Sequence, residues 1–311
     1  MVRTLPGHDV HDHNKSTRGE FNALTDVSGE VSGSEEDQLS TGNRSVMGRG
    51  LVLLETLSRA GRPLPLTDLV ILTRLPKSTV HRLAGQLVEL GLLDKTPAGF
   101  GLGLRIFEWG SKAERQRNLR RIAVPYLSDV HAQLRETVHL AVLDGRDVVY
   151  VEKIEGHSAV RCPTVVGGRA PAHGTALGKA MLAFNPVIMH EVLVQPLSVQ
   201  TTRTVIAPGN LQRQLHKTRE TRISLEIEES FVGVACVASP ILDAAGVALG
   251  AVSITVPTFR FDPNKLSPTV RQVADRISRD LLALERFQGA DSAGDPTCGF
   301  KPPLTRGRAA E

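Results

Sequence analysis

The segment Leu75-Pro-Lys-Ser-Thr-Val-His-Arg-Leu83, running on to Gly91, has the composition of a short helix with two unlike faces. Pro76 can take the first turn, where a missing N–H costs little, and Gly91 suits the left-handed residue after the last turn. At about 100° per residue, Val80, Leu83, Leu87 and Leu90 fall on one side. Ser78, His81, Arg82 and Gly85 fall on the other, with Lys77 beside them at the N-terminal end. One side is fit to be buried. The other offers hydrogen-bond donors, a cation and a glycine that permits close approach. A helix of this shape fits the ~12 Å major groove of DNA. Arg82 is the candidate for a bidentate contact with guanine. Lys77, Ser78 and Thr79 suit backbone phosphates, and His81 shares their face.

Any one of these residues alone fits an ordinary surface helix better; the flanking sequence reverses that balance. Upstream, Val46, Leu53, Leu54 and Leu57 stand at helical spacing, and Gly61-Arg62-Pro63 closes that helix. Pro65 opens a second helix whose buried stripe is Leu66, Leu69 and Val70, and Arg74-Leu75-Pro76 makes the turn. Downstream, Asp94 to Leu104 contains Pro97, Gly99, Gly101 and Gly103, the pattern of a short β-ribbon, or wing.

The bulk properties fit that reading. A length of 311 residues allows two domains, and 41% hydrophobic residues are enough for real cores, although only 4% are aromatic. Residues 46–122 carry 13 Lys and Arg against 6 Asp and Glu, whereas residues 1–45 carry 4 against 8. The basic charge is therefore local, as a phosphate-binding surface requires, although a solvated basic face has the same composition. No apolar run reaches the roughly 18 residues of a membrane span. Met1 to Asn14 has no apolar core of a secretory signal. The 3 cysteines, Cys162, Cys236 and Cys298, include no Cys-x-x-Cys pair, which argues against a disulfide framework or a zinc ribbon. A cytoplasmic protein without membrane association is expected, with no cofactor and no metal.

Residues 1–44 and 288–311 are polar, Gly- and Pro-bearing and without hydrophobic period, so both are expected to be disordered. The winged helix-turn-helix domain is expected over 45–104, a charged linker helix over 105–122 and a second domain over 123–287. In that second domain, Val138–Leu143 and Val148–Glu152 around Asp144-Gly145 read as a hairpin. Val234–Leu242 and Val247–Val256 read as another, and Ser267-Pro268 as the start of a C-terminal helix. Thr175 to Phe184 reads as a helix capped by Thr175. The N–H groups of Ala176, Leu177 and Gly178 then form a seat for an anion. Ser253 and Thr255, two apart on one strand, present both hydroxyls to the same side.

Several of these stretches, in this order, resemble the IclR (isocitrate lyase regulator) family of transcription regulators. They are the recognition segment with Gly91-Leu-Leu93, Glu136 to Gly145, Tyr150-Val-Glu-Lys153, Gly167 to Lys179, and Glu228-Glu229 with Gly233 to Cys236. The resemblance spans roughly 45–287. It implies an α+β chain: an N-terminal winged helix-turn-helix domain, a linker helix and a C-terminal GAF-like α/β effector-binding domain. It also implies a homodimer or homotetramer on a palindromic double-stranded operator, with a small-molecule effector, often a carboxylate, and more often repression than activation. At the matching positions, Ala176, Leu177, Glu226, Cys236, Ser253 and Thr255 line the effector pocket. The chain departs from the family at Arg222-Ile223, where many members carry a Gly-aromatic pair, and at Gly101, a wing position that is often basic.

Each residue also has a plainer reading. Cys236 fits simple core, and Ser253 and Thr255 fit strand residues bonded to water. Glu226 would repel a bound carboxylate unless it is protonated or accepts a hydrogen bond from a ligand hydroxyl. Lys179 is expected on the helix surface, and His173 is expected to order the loop before that helix. No nucleophile–base pair with a third partner is evident, so no catalysis is expected. An architectural DNA-binding protein with a vestigial sensor, or an enzyme tethered to DNA, are the alternatives.

Overall fold

The computed structural model describes residues 45–156 and 162–292. They form two compact units that divide between Glu108 and Trp109. The expected disordered segment 1–44 lies outside the described residues, as does 293–311 of the expected disordered tail 288–311; residues 288–292 are instead the last turn of the C-terminal helix, a correction to the expected boundary.

The first unit is three helices and a ribbon. Helix α1 (Val46–Ala60) begins where the Ser45 hydroxyl accepts the Gly48 N–H at 2.9 Å, and ends at Gly61 in the left-handed conformation (φ 61°). Helix α2 (Leu66–Thr73) leads through left-handed Arg74 and buried Leu75 into α3 (Lys77–Glu89). Strands β1 (Leu93–Thr96) and β2 (Gly99–Leu102) pair antiparallel, with Leu93 opposite Leu102. Leu64 and Phe100 exchange both backbone bonds at 2.9 Å, which ties the ribbon to the chain before α2. Leu53, Leu57, Leu69, Val80, Leu83 and Leu87 meet in one core, so the apolar stripes of all three helices are satisfied by each other. This is the expected winged helix-turn-helix arrangement.

The expected single linker helix is instead two. Helix α4 (Leu104–Gly110) stops, and α5 (Glu114–Leu134) begins after a short break and runs through Pro125. Leu119, Ala123, Leu127 and Val130 of α5 are buried in the core of the second unit. A run dominated by arginine hides that stripe, because one apolar residue in four suffices when long side chains cover the rest.

The second unit is a six-stranded antiparallel sheet between two helical layers. Its strands are β3 (Thr137–Asp144), β4 (Asp147–Ile154), β5 (Arg169–Pro171), β6 (Ser224–Ile227), β7 (Val234–Leu242) and β8 (Ala248–Pro257). Their order is β5-β4-β3-β8-β7-β6. Side chains alternate between faces along each strand. Val138, Leu140, Val252, Ile254 and Val256 pack towards α5 and the C-terminal helix α9 (Pro263–Ser292). Ala141, Ala238 and Ala251 pack with α6 (Ala176–Leu182), α7 (Pro186–Leu193) and α8 (Pro208–Thr221). Helix α9 starts earlier than Ser267-Pro268. Asp262 Oδ1 accepts the N–H groups of Asn264 and Lys265 at 3.1 and 3.4 Å, and Pro263 fills the first position. It also continues to Ser292, past Phe287.

Candidate functional site

Two sites emerge, one in each unit. In the first, Lys77, Ser78, His81, Arg82, Gly85 and Gln86 of α3 are exposed, Thr79 is half-buried, and Val80, Leu83, Ala84 and Leu87 are buried. Leu90, expected among the buried residues, is exposed, because α3 has ended at Glu89 and the chain turns away. Pro76 gives α3 no side-chain cap, so its first N–H groups stay open to a partner. Arg82 reaches along the helix to Gln86 Oε1 at 3.4 Å.

The second site lies at the polar end of the sheet face that carries α6. The register sets it: Glu226 stands opposite Cys236, Cys236 opposite Thr255, and Ser253 opposite His139. With Ala176 and Leu177 from the start of α6, all six residues expected to line an effector pocket border one cavity. Five of them are buried, and Cys236 is half-buried. The same cavity is bordered by His139, Tyr150, Cys162, Thr164, Ser230 and Phe231, which the sequence reading did not single out. The cavity is small, with a volume of about 20 Å³.

A chain of hydrogen bonds crosses it. Cys236 Sγ lies 3.2 Å from Thr255 Oγ1, Thr255 Oγ1 lies 3.3 Å from His139 Nδ1, and His139 Nε2 lies 2.8 Å from Thr164 Oγ1. Burial, helped by the Lys153 charge, holds His139 down at about 3, so its ring is neutral at physiological pH. Burial likewise pushes up the Cys236 thiol and the Tyr150 hydroxyl, and both stay protonated. Lys153 Nζ fastens the Cys162–Thr164 wall by donating to the carbonyls of both residues, at 3.1 and 2.9 Å.

Glu226 is the one carboxyl bordering the cavity. Its Oε1 accepts the N–H groups of Glu229 and Ser230 at 2.6 and 2.9 Å, while its buried Oε2 has no protein partner. Burial raises its pKa against the lowering effect of those bonds and of the neighbouring Cys236 thiol. The α6 seat is smaller than expected, because Thr175 Oγ1 takes the Gly178 N–H at 2.9 Å and leaves those of Ala176 and Leu177. Lys179 is a clear difference from expectation. It is wholly buried, not on the helix surface, and its Nζ lies 2.6 Å from Glu229 Oε1. All seven residues of α6 are buried between sheet and helices, so no face of it is left for a solvated cation. His173 does order a loop: Nε2 pairs with the Ser198 carbonyl at 2.9 Å. Among the described residues, no group of three or more His, Cys, Asp and Glu could hold a metal ion, and no helix is long and apolar enough to cross a membrane.

Comparison with known proteins identifies both units. Residues 46–97 match the IclR helix-turn-helix domain, and residues 111–279 match the C-terminal domain of the bacterial transcriptional regulator IclR. The chain is 31% identical over 245 residues to the HTH-type transcriptional regulator XynR of Escherichia coli, a match covering 78% of this chain and 96% of XynR. It is 29% identical over 234 residues to the transcriptional repressor IclR of Escherichia coli, covering 73% and 85%. Among solved structures, an IclR homologue from Microbacterium hydrocarbonoxydans complexed with 4-hydroxybenzoate superposes with a TM-score of 0.71 at 29% identity, over 77% of this chain and 100% of that one. With a helix-turn-helix unit followed by a C-terminal regulator unit, both matched in sequence and in fold, the chain belongs to the IclR family of bacterial transcriptional regulators.

Proposed function

We propose that this regulator is a cytoplasmic, non-enzymatic repressor that binds a palindromic operator as a dimer or a dimer of dimers and answers to a small carboxylate effector. The observation that carries the sensor half is the convergence of Ala176, Leu177, Glu226, Cys236, Ser253 and Thr255 from one helix and three strands on one cavity. Those residues are scattered over 80 positions of sequence, and their meeting point is lined with hydrogen-bonding groups. The relative from Microbacterium hydrocarbonoxydans holds 4-hydroxybenzoate, an acid with a hydroxyl. That chemistry suits a pocket with two open backbone N–H groups and one carboxyl oxygen without a partner. A protonated Glu226 donates to an acid, and an ionised one accepts from a hydroxyl.

On the DNA side, Arg82 reads a base and Lys77, Ser78, Thr79 and His81 fix the helix on the backbone. Two copies related by a two-fold axis would set α3 in successive major grooves. The small cavity means that a ligand enters only as its walls part. An effector that favours the parted form shifts the population between operator-fitting and misfitting arrangements. The absence of enzyme chemistry is supported by the state of the pocket groups: a His139 that, held at about 3, is too weak a base, and a Cys236 thiol that stays protonated.

The test is binding of the purified protein to DNA upstream of its own and neighbouring genes, with and without a panel of small carboxylates that includes 4-hydroxybenzoate and benzoate. Footprinted binding released by a panel member supports the whole reading. Footprinted binding indifferent to every member favours the DNA-binding protein with a vestigial sensor. Absence of specific binding removes the operator claim.

A further inference from the structure

The sensor reading leaves one buried group without a task. Lys179 is fully buried in α6, is not among the residues that border the effector cavity, and its Nζ meets Glu229 Oε1 at 2.6 Å. A buried lysine is costly: desolvation of an ammonium takes several kcal/mol unless geometry and partners offset it. Replacing such a pair by apolar groups is often neutral or stabilising, so a fold has little reason to keep it for stability alone. What the pair holds is therefore informative.

Glu229 is fastened from three directions. Its side chain meets Lys179. Its carbonyl accepts the Thr204 hydroxyl at 2.7 Å. Its N–H donates to Glu226 Oε1 at 2.6 Å, and the next N–H, that of Ser230, donates to the same oxygen at 2.9 Å. Two donors on one oxygen fix the plane of the carboxyl group and leave Oε2 as the oxygen that has no protein partner. The following residues, Ser230 and Phe231, form a wall of the cavity. The path from Lys179 to the cavity is thus an ion pair, a backbone segment and two N–H groups, with no direct contact.

We propose that Lys179 is a positioning residue of the effector site, which through Glu229 holds the Glu229 and Ser230 amides on Glu226 Oε1 and so presents Glu226 Oε2 to the ligand. The assignment rests on the sensor reading of the cavity given above and deepens it. Its consequence for ligand class is that the effector places a polar group, an acid or a hydroxyl, opposite one fixed oxygen rather than opposite a freely turning carboxylate.

The test needs no ligand, so its failure is distinct from a failure of the carboxylate panel. The titration of the Glu226 carboxyl is followed by its side-chain carbon resonance in the full-length protein. The Lys179→Met/Glu229→Met variant removes one positive and one negative charge near Glu226 and leaves no unpaired buried ion. Charge effects then largely cancel, and loss of the two amide donors remains; the Glu226 midpoint is expected to rise by about one to two pH units. Glu229→Gln, close to isosteric, keeps the bond to Lys179 and the two amides; whether the lysine then keeps or loses its proton, the midpoint is expected not to rise. A rise confined to the double variant is the signature of positioning. A pair that only packs α6 would leave the Glu226 midpoint of the double variant where it was. That result, or a rise of the same size in Glu229→Gln, would overturn the proposal.

Discussion

Thr164 Oγ1 and His139 Nε2 stand 2.8 Å apart, and this bond fastens the segment that follows β4 to the middle of the sheet. It is made to an imidazole that burial and Lys153 hold at about 3, far below the ordinary 6.5. The consequence is a specific dependence of stability on pH. Between pH 6.5 and about 3 the unfolded chain binds a proton at His139 that the folded chain does not. Stability contributed by the neutral, buried ring is therefore full above pH 6.5 and is lost as pH falls towards 3. The expected slope from this group is up to about 1.4 kcal/mol per pH unit. Urea unfolding of wild type and His139→Gln between pH 4 and 7 checks it. A wild-type curve no steeper than that of the variant would show that His139 is not held neutral.

Roles on α3 separate by their sequence dependence. Arg82→Ala is expected to lose about 1–3 kcal/mol on the cognate operator and little on random DNA. Lys77→Ala is expected to weaken both alike and to reduce the salt slope by about 1. Fluorescence anisotropy on both DNAs over a salt series distinguishes them. Equal losses on both DNAs from both changes would sink the base-reading role of Arg82.

Gly101 is opposite Asp94 in the wing, where a Cβ would meet nothing closer than Pro63 Cγ at 3.6 Å. A side chain is therefore tolerated there. Gly101→Lys is expected to tighten binding to operator and random DNA alike, and to steepen the salt dependence by about one phosphate contact. An unchanged slope would place the wing away from the DNA backbone.

Gly178 has the opposite constraint. A Cβ there would lie 2.1 Å from the Ala172 carbonyl oxygen, inside backbone that cannot yield cheaply. Gly178→Ala is expected to displace the first turn of α6, which carries Ala176 and Leu177, at a cost of about 3 kcal/mol, the upper end for overpacking. Chemical denaturation gives the loss. A variant as stable as wild type would mean that α6 can shift freely over its neighbour.

Much of the DNA-reading unit was legible from local signals. The stripe of Val80, Leu83 and Leu87, the prolines before α2 and α3, and the glycines of the wing each act within a few residues. Their structural meaning does not depend on distant parts of the chain. The effector cavity was legible in part. Motifs pointed to six of its residues, and alternation told that Ser253 and Thr255 share a face. A similar signal marked His139, a polar residue among Val138, Leu140 and Val142 in a strand, and could have been used.

The amino-acid sequence by itself determined the elements of the DNA-reading unit, the two long hairpins, the Thr175 cap of α6 and the family, because periodicity, caps and ordered motifs are properties of neighbouring residues. Only the tertiary structure decided what Lys179, Glu229 and Thr164 do. Lys179 sits one turn into a helix whose every face is covered, and its partner is fifty positions away. Strand register brought Glu226, Cys236, Thr255 and His139 together, and register is set by pairing between distant segments. A charged residue looks exposed in sequence until the fold supplies the buried partner that offsets its desolvation.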